Sequence, residues 1–148
     1  MSVAEEQLKK LASAYPEAVI TFSEMTESTV ACRRRVSPDR PGEVQIPINR
    51  TFQPYSTVTG IAMIVFGGAD PEVIEQRWPF SEFGLPFWKS RAEFDSAAEQ
   101  FRSSGYVDRI VEDRYFIAVP VAENFTLGFN GSADTKTERS AIAKALVS

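Results

Sequence analysis

The chain has 148 residues, 43% of them hydrophobic, with 20 acidic against 16 basic side chains, one cysteine and no histidine. That length supports one domain burying ~68–70% of the surface its unfolded form exposes, and the net charge of −4 argues against direct contact with nucleic acid, whose partners are basic over at least one face. Without histidine or a second cysteine there is no internal disulfide, no histidine-based triad and little basis for a zinc site, so neither a metal nor a cofactor is expected.

The start, Met1 to Glu6, is acidic where a signal peptide would be basic and then apolar, and no apolar run approaches the ~18 residues of a membrane span. A cytoplasmic protein away from membranes is expected. Ser2-Val3-Ala4-Glu5 has the pattern of a capping box, followed by Leu8, Leu11, Ala12 and Tyr15 at helical spacing until Pro16. This predicts a first helix ending near residue 14. Segments 18–23 and 29–35 are rich in β-branched and apolar residues around a polar stretch, and read as two strands of a hairpin. Ser37 to Gly42 is a turn by its prolines and glycine, and Glu43 to Ile48 reads as a third short strand.

Residues 57–67 are apolar nearly all round, which predicts a helix in the middle of the domain and not on its surface. Asp70-Pro71 supplies an N-cap and a first-turn proline for a short helix that Pro79 ends. The aromatic run Trp78, Phe80, Phe83, Phe87 and Trp88 reads as a loop that must pack on something: a lid, a subunit interface or the core. Ser90 and Glu93 form a second capping box for a helix stopped by Gly105. Strands are predicted at 106–110, 115–121 and 125–129, then a last helix capped at Thr135 to Glu138 and carrying Ile142, Ala143 and Leu146 on one face. The pattern is that of a single α+β domain over residues 1–148, with one mainly antiparallel sheet and helices packed against it.

Few residues invite chemistry. Cys32 stands beside Arg33, Arg34 and Arg35, and neighbouring cations lower a thiol pKa, but no base or resolving thiol accompanies it. It reads as a buried structural cysteine. Strand alternation allows at most Arg33 and Arg35 to share a face, so the run reads as a solvated strand edge in preference to an anion site. Asp108, Glu112 and Asp113 match no cation-binding spacing and read as surface charge. Thr57-Val58-Thr59-Gly60 differs, because it opens a buried helix whose first N–H groups lack helical partners and whose dipole favours negative charge. On local pattern it is a helix cap or an anion site.

Taken in order, Pro54 to Ala62, Gly105-Tyr106, Phe116-Ile117-Ala118-Val119-Pro120-Val121 and Gly128-Phe129-Asn130-Gly131 resemble the motifs of the effector-binding domain of IclR-family bacterial transcription regulators. The resemblance spans essentially all 148 residues. It implies a GAF-like fold and a pocket between the sheet and the buried helix, in which a small carboxylic or aromatic acid alters DNA binding by an attached winged helix-turn-helix absent from this chain. It also implies no enzymatic activity and pairing with further copies of itself. The implied pocket residues are Val58 and Thr59 through their amides, Phe116 where the family has cysteine, Gly128 and Asn130 where it has serines, and Asp108 as counterpart of its pocket aspartate. The segment from Gly105 to Phe116 is shorter than the family's, and Phe116 fills space that a very small acid would use. The alternative implied by those departures is a structural oligomerisation module with a degenerate, ligand-free pocket.

Overall fold

A computed structural model describes residues 2–122 and 124–147. Among these, six helices and one six-stranded sheet form in the order α1 (Ser2–Ala14), β1 (Val19–Thr26), β2 (Thr29–Val36), β3 (Thr51–Phe52), α2 (Val58–Phe66), α3 (Pro71–Arg77), α4 (Phe80–Phe83), α5 (Arg91–Ser104), β4 (Val107–Val111), β5 (Arg114–Ala122), β6 (Phe125–Gly131) and α6 (Lys136–Val147). The sheet order is β3-β2-β1-β6-β5-β4, and every pairing is antiparallel. The α+β class with a single antiparallel sheet is thus the observed architecture. The capping box read at Ser2 rests on a side chain outside the described set.

Alternation along the strands sends apolar side chains to both faces, because helices cover both. One face carries Ile20, Phe22, Ile117, Val119 and Leu127, which pack with Leu8 and Leu11 of α1 and with Ile142 and Leu146 of α6. The other carries Val107 and Ala118, which pack with Val58, Ile61 and Val65 of α2, Ile74 of α3 and Phe94 and Ala98 of α5. Helix α2 is buried over almost its whole length, as its unbroken apolar character requires. Each fully buried leucine- or isoleucine-sized side chain contributes roughly 1.5–3 kcal/mol, so these two layers hold the domain together.

The third strand lies later than its sequence pattern indicates. Segment 43–48 contributes only one bridge, between Gln45 and Arg35, and the strand proper is Thr51–Phe52. Pro47 has no N–H to give a ladder and Asn49 turns the chain with φ of 57°, so pairing cannot run through. Ile46 and Ile48 are left 65% and 84% exposed. The first hairpin is tighter than its polar stretch implies: β1 runs to Thr26 and turns on Glu27-Ser28, with Met25 buried between its polar neighbours.

The aromatic run divides. Trp78 donates from Nε1 to the Ser28 carbonyl at 2.7 Å and meets Phe83 edge-on, while Phe80 is buried against Tyr55 and Phe94. Trp88 also meets Phe94 edge-on, at 5.2 Å between centroids. These rings are core. Phe87 is 45% exposed and serves elsewhere.

One close approach fixes where α2 begins. A Cβ added at Gly60 would lie 2.2 Å from the Pro54 carbonyl oxygen and 2.6 Å from its Cα, so only glycine lets the helix's first turn sit against that backbone. Gly60→Ala is expected to lower the free energy of unfolding by about 1–3 kcal/mol or more, as overpacking against an unyielding neighbour does. Urea titration of the two proteins measures it; equal midpoints would show that the turn relaxes.

Candidate functional site

The start of α2 faces the sheet across an open cavity of about 430 Å³, within the range of small-molecule sites. Its floor is made of Arg109, Phe116, Asn130, Val19, Gly128 and Thr21, drawn from two rows of the sheet. Register places Arg109, Phe116, Asn130 and Val19 side by side across β4, β5, β6 and β1, and Val107, Ala118, Gly128 and Thr21 in the next row. Phe52, Phe87, Phe116 and Val111 give the walls an apolar character, while Ser56, Thr57, Val58 and Thr59 form the roof.

Thr57 caps the helix by accepting the Gly60 N–H on Oγ1 at 3.0 Å, and its carbonyl accepts the Ile61 N–H. The N–H groups of Val58 and Thr59 make no hydrogen bond among the described residues. Both residues line the cavity. Two unpaired donors at the positive end of a helix dipole are a suitable seat for a carboxylate. The turn is a helix cap that leaves two donors unbonded among the described residues.

Gly128 has a definite steric role. A Cβ there would stand 2.7 Å from Thr21 Oγ1 and 2.8 Å from Thr59 Oγ1, so the two hydroxyls converge on the place a side chain would take. One hydroxyl comes from the neighbouring strand β1 and the other from helix α2. The glycine leaves room for them.

The cavity's own lining carries charge of one sign. Arg109 is the single charged residue in its lining, and it forms no ion pair among the described residues. No aspartate or glutamate lines it. Asn130 is held from the side by Arg114, whose Nε donates to Asn130 Oδ1 at 2.9 Å and whose Nη2 donates to the Asn130 carbonyl at 3.1 Å.

Five of the six residues assigned from the family resemblance, Val58, Thr59, Phe116, Gly128 and Asn130, border this one cavity. Asp108 does not join them. It pairs with Ile117 in the ladder, facing the α1 and α6 side, where its Oδ2 accepts the Tyr115 hydroxyl at 2.8 Å. The pocket-facing position on β4 is Arg109. Strand alternation contains this signal: Glu112-Asp113 form a two-residue hairpin tip, which sets Val111 opposite Arg114 and hence Arg109 opposite Phe116. Phe52, Phe87, Thr21 and Ser56 carried no local signal, since their presence depends on how distant segments fold together.

A smaller space of about 300 Å³ adjoins, sharing Val58, Phe87 and Arg109 with the main cavity and bordered by Trp88, Val107 and Asp108. The indole N–H of Trp88 is buried with no hydrogen-bond partner among the described residues.

The remaining candidates are structural. Cys32 is buried, and burial pushes its thiol pKa up despite the nearby Ser23 hydroxyl and the Arg50 and Arg35 charges. Its arginine neighbours scatter: Arg33 pairs with Glu24, Arg34 with Glu5 on α1, and Arg35 donates to Gln45. They form no joint anion site. Among the described residues no three histidine, cysteine or carboxylate side chains converge as metal ligands, and no helix is long and apolar enough to cross a membrane.

No family model matches the sequence, and no curated protein does at a significant level. Solved structures do match. The chain superposes on the C-terminal domain of the E. coli transcriptional regulator KdgR with a TM-score of 0.71 and 17% identity, covering 97% of this chain and 89% of that one. The fold is that of IclR effector-binding domains. A double mutant of the PobR inducer-binding domain from Acinetobacter, in complex with 3-hydroxybenzoic acid, gives a TM-score of 0.70 at 18% identity over 99% of this chain and 92% of that one. IclR of Thermotoga maritima gives 0.69 at 14% identity, with 99% of this chain covering 63% of that longer one. At such identities the likeness is one of fold.

The Tyr115–Asp108 bond has a consequence for alkaline stability. Burial, then the hydrogen bond to Asp108 and its charge, hold the Tyr115 pKa well above its ordinary value of 10.0. The folded chain keeps the phenol protonated while the unfolded chain ionises it, so this contribution is intact below pH ~10 and is lost progressively as pH rises above it. Stability measured by urea between pH 8 and 11 should fall with pH, and Tyr115→Phe should flatten the fall. An unchanged slope in the variant would assign it to other groups.

Proposed function

We propose that this chain is the ligand-sensing domain of an IclR-type transcription regulator, taking a small organic acid, carboxylic or aromatic. The carrying observation is the pairing of two unbonded amides at the mouth of α2 with an apolar cavity whose one charged residue is Arg109 and which has no acidic residue in its lining. The carboxylate would meet the Val58 and Thr59 amides, and the rest of the molecule would lie among Phe52, Phe87 and Phe116. The PobR domain's complex with a hydroxybenzoic acid supports this ligand class by analogy of fold.

The mechanism is a shift of populations. A ligand that bridges α2 and the sheet favours the arrangement in which they are closest, and an attached DNA-binding domain would read that choice; the coupling cannot exceed the ligand's difference in affinity between the two arrangements. Catalysis has no support here: the lone thiol is buried with a raised pKa and there is no histidine. The open cavity also weighs against a module whose pocket Phe116 has closed, because Phe116 forms a wall and leaves about 430 Å³ beside it. Association with further copies is part of the reading, and the apolar Ile110 and Val111 on the edge strand β4 are available for it.

Thermal and calorimetric titration with benzoate, hydroxybenzoates and short aliphatic acids, each against its neutral amide, tests the assignment. At a free concentration of 100 Kd a bound acid stabilises the fold by about 2.7 kcal/mol, which a melting shift registers. Arg109→Gln should weaken a binding acid roughly 10-fold, since a charge-assisted contact contributes about 1.5–3 kcal/mol and exposure discounts it. Absence of any saturable response to the acids would remove the sensing role.

A further inference from the structure

Arg114 determines what Asn130 shows to the cavity. A guanidinium carries donors and no acceptor, so the carboxamide group of Asn130 must turn its oxygen toward Arg114 Nε, where Oδ1 is found at 2.9 Å. The second Arg114 bond, from Nη2 to the Asn130 carbonyl at 3.1 Å, holds the guanidinium in the plane that makes this possible. Asn130 lines the cavity and Arg114 does not. The end left for a ligand is therefore Nδ2, a pure donor, with no hydrogen bond of its own among the described residues.

We propose that Arg114 is a positioning residue that locks Asn130 as a donor, so that the site selects organic anions whose second polar group is an acceptor, such as a keto oxygen, and rejects those bearing an ammonium group. This deepens the organic-acid reading and rests on it. Asn130 stands one strand from Phe116 and two from Arg109 in the same row, and the amides of Val58 and Thr59 stand above the next. Side-chain nitrogens and amides thus offer protons from floor and roof, and no carboxylate lines the cavity. An ammonium group there would face Nδ2 and the Arg109 charge with no counter-ion, which is discrimination by an unfavourable contact. Without Arg114 the carboxamide could rotate and present its oxygen, and the discrimination would fade.

Phenylpyruvate and phenylalanine serve as probes, since they share a carbon skeleton and a carboxylate and differ in keto oxygen against ammonium. Calorimetry should show the native chain binding phenylpyruvate at least 10-fold more tightly. Asn130→Asp keeps its contact with Arg114 as an ion pair and so keeps the fold, but puts an acceptor in the cavity; the preference should shrink at least 10-fold or invert. Arg114→Met should reduce it to a few-fold while phenylpyruvate still binds. A preference that survives both substitutions overturns the proposal. If neither probe binds the native chain, the organic-acid reading loses support, and the positioning claim is decided separately by the ¹⁵N–¹H signal of Arg114 Nε. That signal should be protected from exchange and lose its protection in Asn130→Ala; a signal unprotected from the start would overturn the claim.

Discussion

The seating of α2 against the Pro54 turn is the contact on which the site depends. Gly60 allows the backbones to meet with no side chain between them, and this sets the height of the helix's first turn above the sheet. From that height Thr59 Oγ1 reaches the space over Gly128, and Val58 and Thr59, whose N–H groups are unbonded among the described residues, line the cavity. A helix standing further away would withdraw the Thr59 hydroxyl from the space over Gly128, and one tilted inward would fill the cavity. Two glycines on different elements, Gly60 and Gly128, thus work as one device. The first brings the helix close and the second makes room for what it carries.

The sheet does the complementary task of separating duties between its faces. Toward α1 and α6 it carries the larger apolar cluster, and the polar pair there, Tyr115 and Asp108, is joined by a hydrogen bond. Toward α2 it is packed at one end by Val107 and Ala118 and left open at the other, where Phe116, Asn130 and Arg109 stand. An apolar cluster behind the sheet and open space in front leave the cavity-facing side chains supported without filling the cavity. Because successive residues of β4 and β5 serve opposite faces, a shift of one residue in register would exchange Asp108 for Arg109 and reverse the sign of the cavity's charge.

Much of this was legible in the sequence, and the reasons differ by element. Helices α2, α3 and α5 announce themselves through Thr57, Asp70-Pro71 and the Ser90–Glu93 box, because capping is a local requirement met by nearby residues. The misplaced third strand shows the limit: Val44, Gln45 and Ile46 have the composition of a strand, yet Pro47 and the left-handed Asn49 break the ladder, and a short edge strand is defined by its partner more than by its own residues. Motif order corresponds to a shared place in the fold for Val58, Thr59, Phe116, Gly128 and Asn130, which all line the cavity, whereas Asp108, matched by analogy along a segment of different length, lies outside that lining with its carboxylate on Tyr115. Arg109 and the Arg114–Asn130 bond needed the hairpin register. Phe52 and Phe87 needed the whole fold.

Donors that belong to the main chain have a bearing on how such a domain can diversify. Substitution anywhere in the walls leaves the Val58 and Thr59 N–H groups unaltered, because no side chain supplies them. Walls built from side chains such as Phe116 and Asn130 can therefore change in shape and polarity while two helix-end donors stay where the backbone puts them.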